Sequence, residues 1–232
     1  MTSNELWARV EEILTRHDLL THPYYQAWSK GELTHDNLAF YASQYYEHVS
    51  AFPTYLTALH ARQPEGPVRR AILANAADEE GIDAGGRSHA AIWKQFESGM
   101  KEKSANTVEA AIQPEMNQLV STYRELASEA SLPKALGALY AYESQVPRVA
   151  SEKLKGLKEL YGADNHTCEY FALHRVADVH HSRVWQELID TCVAQDPQCV
   201  DEILDGVSTG AKALWAALDG IEQARTAVFS VN

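Results

Sequence analysis

Apolar residues recur at helical spacing along almost the whole chain, and no stretch alternates apolar with polar long enough to make a convincing strand. Leu6, Val10, Ile13 and Leu14 mark a first helix beginning near Thr2, where Thr2-x-x-Glu5 has the form of a capping box. Leu19 to Ser29 is a short aromatic segment, and Lys30 to Leu33 turns into an N-cap at Thr34. Leu38, Tyr41, Ala42, Tyr45, Val49 and Phe52 then follow on one face up to Pro53, which is expected to kink or restart the helix before Tyr55, Leu56 and Leu59. Pro67 suits the first turn of the next helix, His89 opens another, Lys101 to Thr107 reads as a polar connection, and Val108 to Ala130 is a further helix. A long helix capped by Ser131 runs through Leu136, Leu139, Val146, Leu154 and Leu157, bent at Pro147. Asn165 to Cys192 carries no helix breaker, with Asn165 and Thr167 as candidate caps, and a last helix starts at Pro197. The pattern predicts one all-α domain spanning 1–232, of about seven or eight helices.

Against that pattern, certain polar residues fall on the wrong side. At about 100° per residue, His174, Asp178 and His181 share an arc of about 60°. The same face carries Phe171, Trp185, Leu188 and Cys192, so two imidazoles and a carboxylate are aimed at the core, while His180 points away. Burying such groups without partners costs several kcal/mol. A buried hydrogen-bonded trio would answer that, and so would a metal ion, whose usual ligands are these atoms. Glu143 sits in the middle of the Leu136–Leu157 stripe, where a carboxylate does not belong by preference. Glu79 shares a face with Val68, Ile72, Asn75 and Ala76, whereas Glu80 lies about 100° round. With His89, three separate stretches offer three carboxylates and three imidazoles, enough for two metal ions with bridging carboxylates. Iron or manganese suits such a mixed set better than zinc, which favours cysteine and histidine in a closed tetrahedron.

Composition narrows the partners. The 20 lysines and arginines against 32 acids leave a formal charge of −12 with no basic stripe, which argues against nucleic acid and anionic membranes. No apolar run approaches the roughly 20 residues of a membrane span. Three scattered cysteines, Cys168, Cys192 and Cys199, fit a reducing cytoplasm. Dioxygen and an external reductant are the expected small-molecule partners of an iron or manganese pair, and a homodimer is the expected assembly.

His22 to Thr34, Tyr45 to Leu56 and Leu139 to Leu157 resemble the haem-oxygenase-like di-metal oxidases and oxygenases, and within them the group of the chlamydial protein associating with death domains. Tyr-Glu-Ser-Gln-x-Pro-Arg at Tyr142–Arg148 and His-x-x-x-Asp-x-x-His at His174–His181 are the most specific matches. The resemblance extends from about Leu19 to Cys192. It implies a haem-oxygenase-like bundle with a dimetal site from Glu79, His89, Glu143, His174, Asp178 and His181. It also implies formation of p-aminobenzoate for folate from one of the protein's own tyrosines, with a lysine as amino donor. The matching positions are Tyr25 and Lys153, which the residues alone would make a packing aromatic and a solvated lysine. Tyr41, Tyr45 and Tyr142 also face inward and compete with Tyr25. Three rival readings stand beside this one. A thiaminase-like enzyme would need a cysteine on the Glu143 helix, which has none; a metal-free quinone-forming oxidase would not need six ligand-type residues; a protein-interaction module would need no metal.

Overall fold

The computed structural model describes residues 3–82, 86–106 and 111–229. Ten α-helices and two 3-10 turns account for its regular structure, with no strand among the described residues: α1 (Ser3–Arg16), α2 (Pro23–Lys30), α3 (His35–Ala61), α4 (Pro67–Glu79), α5 (His89–Lys103), α6 (Pro114–Ser128), α7 (Leu132–Glu143), α8 (Val146–Glu159), α9 (Glu169–Gln195) and α10 (Val200–Phe229). The 3-10 turns, Leu19–Thr21 and Pro197–Cys199, lead into α2 and α10.

Start and stop chemistry accounts for most boundaries. Thr34 and Asn37 form a reciprocal capping box on α3. Ser88 and Ser131 accept from the backbone N–H three residues on, starting α5 and α7. Proline occupies the first turn of α2, α4, α6, α7 and α8, where its missing N–H costs nothing. The Thr2 cap lies outside the described residues, as do Asp83 to Gly85 of the Gly81–Gly86 loop and Val108 itself; Ala111 to Gln113, expected to be helical, are not, and α6 begins at Pro114.

Four other sequence expectations need correction. The α3 helix continues through Pro53 without restarting, with Phe52, Pro53, Tyr55 and Leu56 all buried. Tertiary burial on both sides of the proline outweighs one lost hydrogen bond. The helix expected from Ser131 to Leu157 is two: α7 ends at Glu143, and α8 restarts two residues later with Pro147 in its first turn. Neither Asn165 nor Thr167 caps α9. Its N-cap is Cys168, without a side-chain bond, and Thr167 is buried, its backbone N–H bonded to Asp164. Lys101 to Lys103, read as a connection, are the last turn of α5.

One continuous hydrophobic core runs through the helices. At its tightest crossing α7 lies along α10. A Cβ on Gly137 would stand 2.4 Å from the Ile203 carbonyl, and one on Gly206 would stand 2.0 Å from that of Lys134. Only glycine lets these two backbones approach so closely. With α7 pinned to α10, Glu143 at its C-terminus meets Asn75 of α4 and Trp185 of α9, and α5 packs on α9.

Candidate active site

The face that α9 turns inward carries His174, Asp178 and His181, all buried, together with Phe171 and Trp185. Leu188 and Cys192 are only partly buried, because the core-facing stripe drifts to Ile189. His174 Nδ1 lies 2.8 Å from the Tyr170 carbonyl one turn back, which holds the proton there and leaves Nε2 with a free lone pair. His181 Nδ1 lies 3.2 Å from Asp178 Oδ1 and 3.8 Å from Glu143 Oε1.

The other candidates arrive from α4, α5 and α7. Glu79 is buried at the C-terminus of α4, whereas Glu80 beside it is exposed. His89 opens α5 with its ring edge against His174, the centroids 4.5 Å apart. Glu143 closes α7, accepting from Asn75 Nδ2 at 3.2 Å and from the indole N–H of Trp185. Ligand-type atoms of Glu79, His89 and His174 lie within 4.8 Å of one another, and so do those of Glu79, Glu143, Asp178 and His181. Glu79 is common to both sets, so the six side chains form two adjacent clusters joined by one carboxylate.

These groups satisfy one another only in part. His89 Nδ1 is 2.9 Å from Glu79 Oε2, yet neither ring nitrogen of His89 makes a hydrogen bond of acceptable geometry. Burial pushes the carboxyls of Glu143 and Asp178 well above the usual carboxylate range, and neighbouring carboxylates add to the push. Burial, with His89 alongside, drives His174 down to about 3. Burial alone would raise Glu79, but the imidazoles of His89, His174 and His181 outweigh it and hold Glu79 low. His89 is pushed down by burial and lifted more by Glu79 beside it. Orphaned imidazole nitrogens facing buried carboxylates are what cations resolve, so the donor set fits metal ions.

A second cluster lies beyond Tyr142 and Tyr170. Lys153, 6% exposed, has no carboxylate partner. Its amine meets the hydroxyls of Tyr25, at 2.7 Å, and of Tyr41. It stands 4.2 Å from the centre of the Tyr25 ring and 4.7 Å from that of Tyr41. Burial pushes this amine well below the ordinary lysine range. The same burial raises the phenols of Tyr25, Tyr41 and Tyr45, so all three stay protonated near neutrality. Beside the amine is a cavity of about 20 Å³ walled by Tyr25, Tyr45, Tyr142, Lys153, Tyr170 and Phe171, among others. That is room for about one water-sized molecule. Tyr170 bounds this chamber and stacks on His174 at 3.8 Å, so a single aromatic ring separates it from the acid–imidazole clusters.

Each of the eight residues singled out in the sequence is therefore buried, six in the paired clusters and two at the chamber. The break after Glu143 explains Lys153: α8 sets off afresh from Val146 and carries the amine to α2 and α3, away from Glu143. The partners that hold the clusters were less legible. Asn75 showed its inward face but not its contact with Glu143, and Trp185 passed for plain core. Asp78, 3.0 Å from His181 Nε2, left no signal beyond adjacency to Glu79. Tyr41, which competes with Tyr25 in the sequence, is also its hydrogen-bonded neighbour, at 3.0 Å.

An all-helical bundle with a buried, carboxylate-rich donor set defines a class of helical metal-dependent redox enzyme. The chain belongs to the haem-oxygenase-like family of iron-containing redox enzymes, whose model matches residues 39–215. It is 36% identical to the 4-aminobenzoate synthase of Nitrosomonas europaea, over 96% of this chain and 93% of that one. It is 38% identical to the 4-aminobenzoate synthase of Chlamydia pneumoniae, over 85% and 86%. The fold also matches the crystal structure of a CADD-like protein of unknown function from Nostoc punctiforme, with a TM-score of 0.73 at 18% identity, over 96% of this chain and 97% of that one.

Proposed function

We propose that this protein forms p-aminobenzoate in the cytoplasm, consuming its own Tyr25 as the ring and Lys153 as the source of nitrogen. One observation carries the reading: a buried amine with no acidic partner lies against the hydroxyl and ring face of a buried tyrosine. An ammonium in that place would lack a counter-ion, so burial favours the neutral amine, the nucleophilic form. Tyr41 shares the amine but does not line the chamber, and Tyr45 and Tyr142 line the chamber without a hydrogen bond to the amine. Tyr25 does both. The chamber has no room for a free aromatic substrate, which favours an internal one.

Glu79, His89, Glu143, His174, Asp178 and His181 would hold two metal ions, iron or manganese. Bound there, the pair supplies dioxygen activation, with electrons from an external reductant. The chain's own part is placement and protection. Tyr170 and Tyr142 wall the metal clusters off from the amine, and Phe171, Trp28 and Tyr45 keep water from it. Tyr41 accepts a hydrogen bond from Lys153 and fixes Nζ over the Tyr25 ring. Loss of an electron from the Tyr25 phenol requires loss of its proton, and Tyr41 and Lys153 are the groups within reach of Oη. Nζ replaces Oη on the ring carbon Cζ of Tyr25, Oη leaving as water; release of the product also breaks the Lys153 Cε–Nζ bond and the Tyr25 Cα–Cβ bond, with Cβ oxidised to the carboxylate and dioxygen as the oxidant. A homodimer is the assembly we expect.

The test is isotopic. Protein grown on ring-labelled tyrosine, purified, supplied with iron or manganese and reductant and started in unlabelled medium should release labelled p-aminobenzoate, no more than one equivalent per chain. Tyr25→Phe should release none. Full yield from Tyr25→Phe, or turnover sustained far beyond one equivalent, refutes the assignment.

A further inference from the structure

The metal clusters have two sides. One is the aromatic chamber; the other faces a groove of about 310 Å³ between α4 and α9, lined by Asn75, Asp78, Ala177, His180 and His181. At its floor His181 is held from outside: Nε2 lies 3.0 Å from Asp78 Oδ2, while Nδ1 points inward to Asp178 and Glu143. The His181 side chain is 6% exposed and that of Asp78 33%, so the carboxylate meets solvent and the ring does not. Asp78 belongs to neither ligand-type set, and the role proposed above for the six other residues does not use it.

We propose that Asp78 is a positioning residue of the metal centre: it accepts the Nε2 proton of His181 and so presents Nδ1, as a lone pair, to the metal. This rests on the six-residue site proposed above. The chemistry is general. An imidazole binds a metal through one nitrogen only when the proton sits on the other, and a carboxylate there fixes both tautomer and ring angle. His174 meets the same requirement differently, through the Tyr170 carbonyl, which is backbone and cannot be changed by substitution. For His181 it falls to a side chain, and because Asp78 directly precedes Glu79 the end of α4 sets both a ligand and the partner of another ligand. Asn75, one turn earlier, holds Glu143 through Nδ2. A single stretch of α4 thus orients groups from both α7 and α9.

The probe is Mn(II) added alone to the metal-free full-length chain, with binding measured anaerobically by electron paramagnetic resonance. Asp78→Ala should weaken one of the two equivalents by about 10- to 100-fold and leave the other near the parental affinity. Asp78→Asn, whose amide oxygen can accept the same N–H, should recover most of the loss. Glu80→Ala, which removes an exposed neighbouring charge, should change nothing. In the Zn(II)-loaded parental protein, 15N shifts should show His181 protonated at Nε2, a signature that Asp78→Asn keeps and Asp78→Ala loses. Circular dichroism checks that each variant is folded. Two equivalents bound at parental affinity by Asp78→Ala would overturn the proposal, as would equal losses in the Ala and Asn variants or an equal loss in Glu80→Ala. A parental chain that takes up no metal would overturn the six-residue site, and this role with it.

Discussion

Lys153→Met separates the reading of a neutral, buried amine from that of an ordinary lysine. Methionine is unbranched and of similar length, so it fills the space among Tyr25, Trp28, Tyr41 and Phe171 with little change in packing. Tyr25 and Tyr41 keep their mutual hydrogen bond at 3.0 Å, so neither hydroxyl is orphaned. What changes is proton linkage. The folded chain holds Lys153 with its affinity for protons lowered by burial, whereas the unfolded chain holds it near the ordinary value of about 10.4. In the window between those values the unfolded state binds the extra proton. Stability conferred at this position therefore rises with pH, by as much as about 1.4 kcal/mol per pH unit, up to about pH 10.4. Lys153→Met removes the cost of keeping the amine neutral, a cost that grows as pH falls below about 10.4. Urea unfolding of metal-free protein at pH 7, 8 and 9 is the assay. The variant should be the more stable at each pH, with an advantage that shrinks as pH rises. Buried tyrosines and cysteines contribute equally to both proteins over this range and cancel in the difference. An advantage independent of pH, or a variant less stable than the parent throughout, refutes the reasoning. The variant should also release no p-aminobenzoate.

Other perturbations reach the remaining parts of the site. Glu143→Ala and Asp178→Ala should each lower metal content per chain, read by elemental analysis, while the helical circular dichroism signal stays largely intact; unchanged stoichiometry in both would remove them from the site. Gly156→Ala puts a Cβ 2.8 Å from Trp28 Cδ1 and Nε1, against the floor of the Lys153 pocket. It should cost about 1–3 kcal/mol in urea unfolding and reduce product yield. Trp185→Phe keeps an aromatic side chain but removes the indole N–H that donates to Glu143, and should weaken metal retention during dialysis against a chelator. Expression in a bacterial strain lacking the chorismate-derived route should restore growth without added p-aminobenzoate, and Tyr25→Phe or Lys153→Met should not.

Periodicity was enough to find most of the helices, because a 3.6-residue repeat of apolar positions is written locally and the caps at Thr34 and Ser131 lie next to the turns they open. The same arithmetic put His174, Asp178 and His181 on one inward face and separated Glu79 from Glu80, since both judgements need only the angle between residues on one helix. Where a second element decides, local pattern fell short. Pro53 breaks a helix in isolation, and only burial on both sides of it carries α3 through. Glu143 and Lys153 looked like two points on one bent rod until the break at Ser144 and Gln145 sent them to different places. Lys153 itself has nothing in its neighbours to mark it as more than a solvated lysine. Its meaning comes from Tyr25 and Tyr41, more than a hundred residues earlier, closing over it without a carboxylate. Asp78 acquires a role only because α9 lies across the end of α4. Helix faces are fixed by the covalent geometry of a single segment and so are legible in the chain; proton affinities and ligand partners are set by what other segments bring within about 3–4 Å, and only the packed structure determines those.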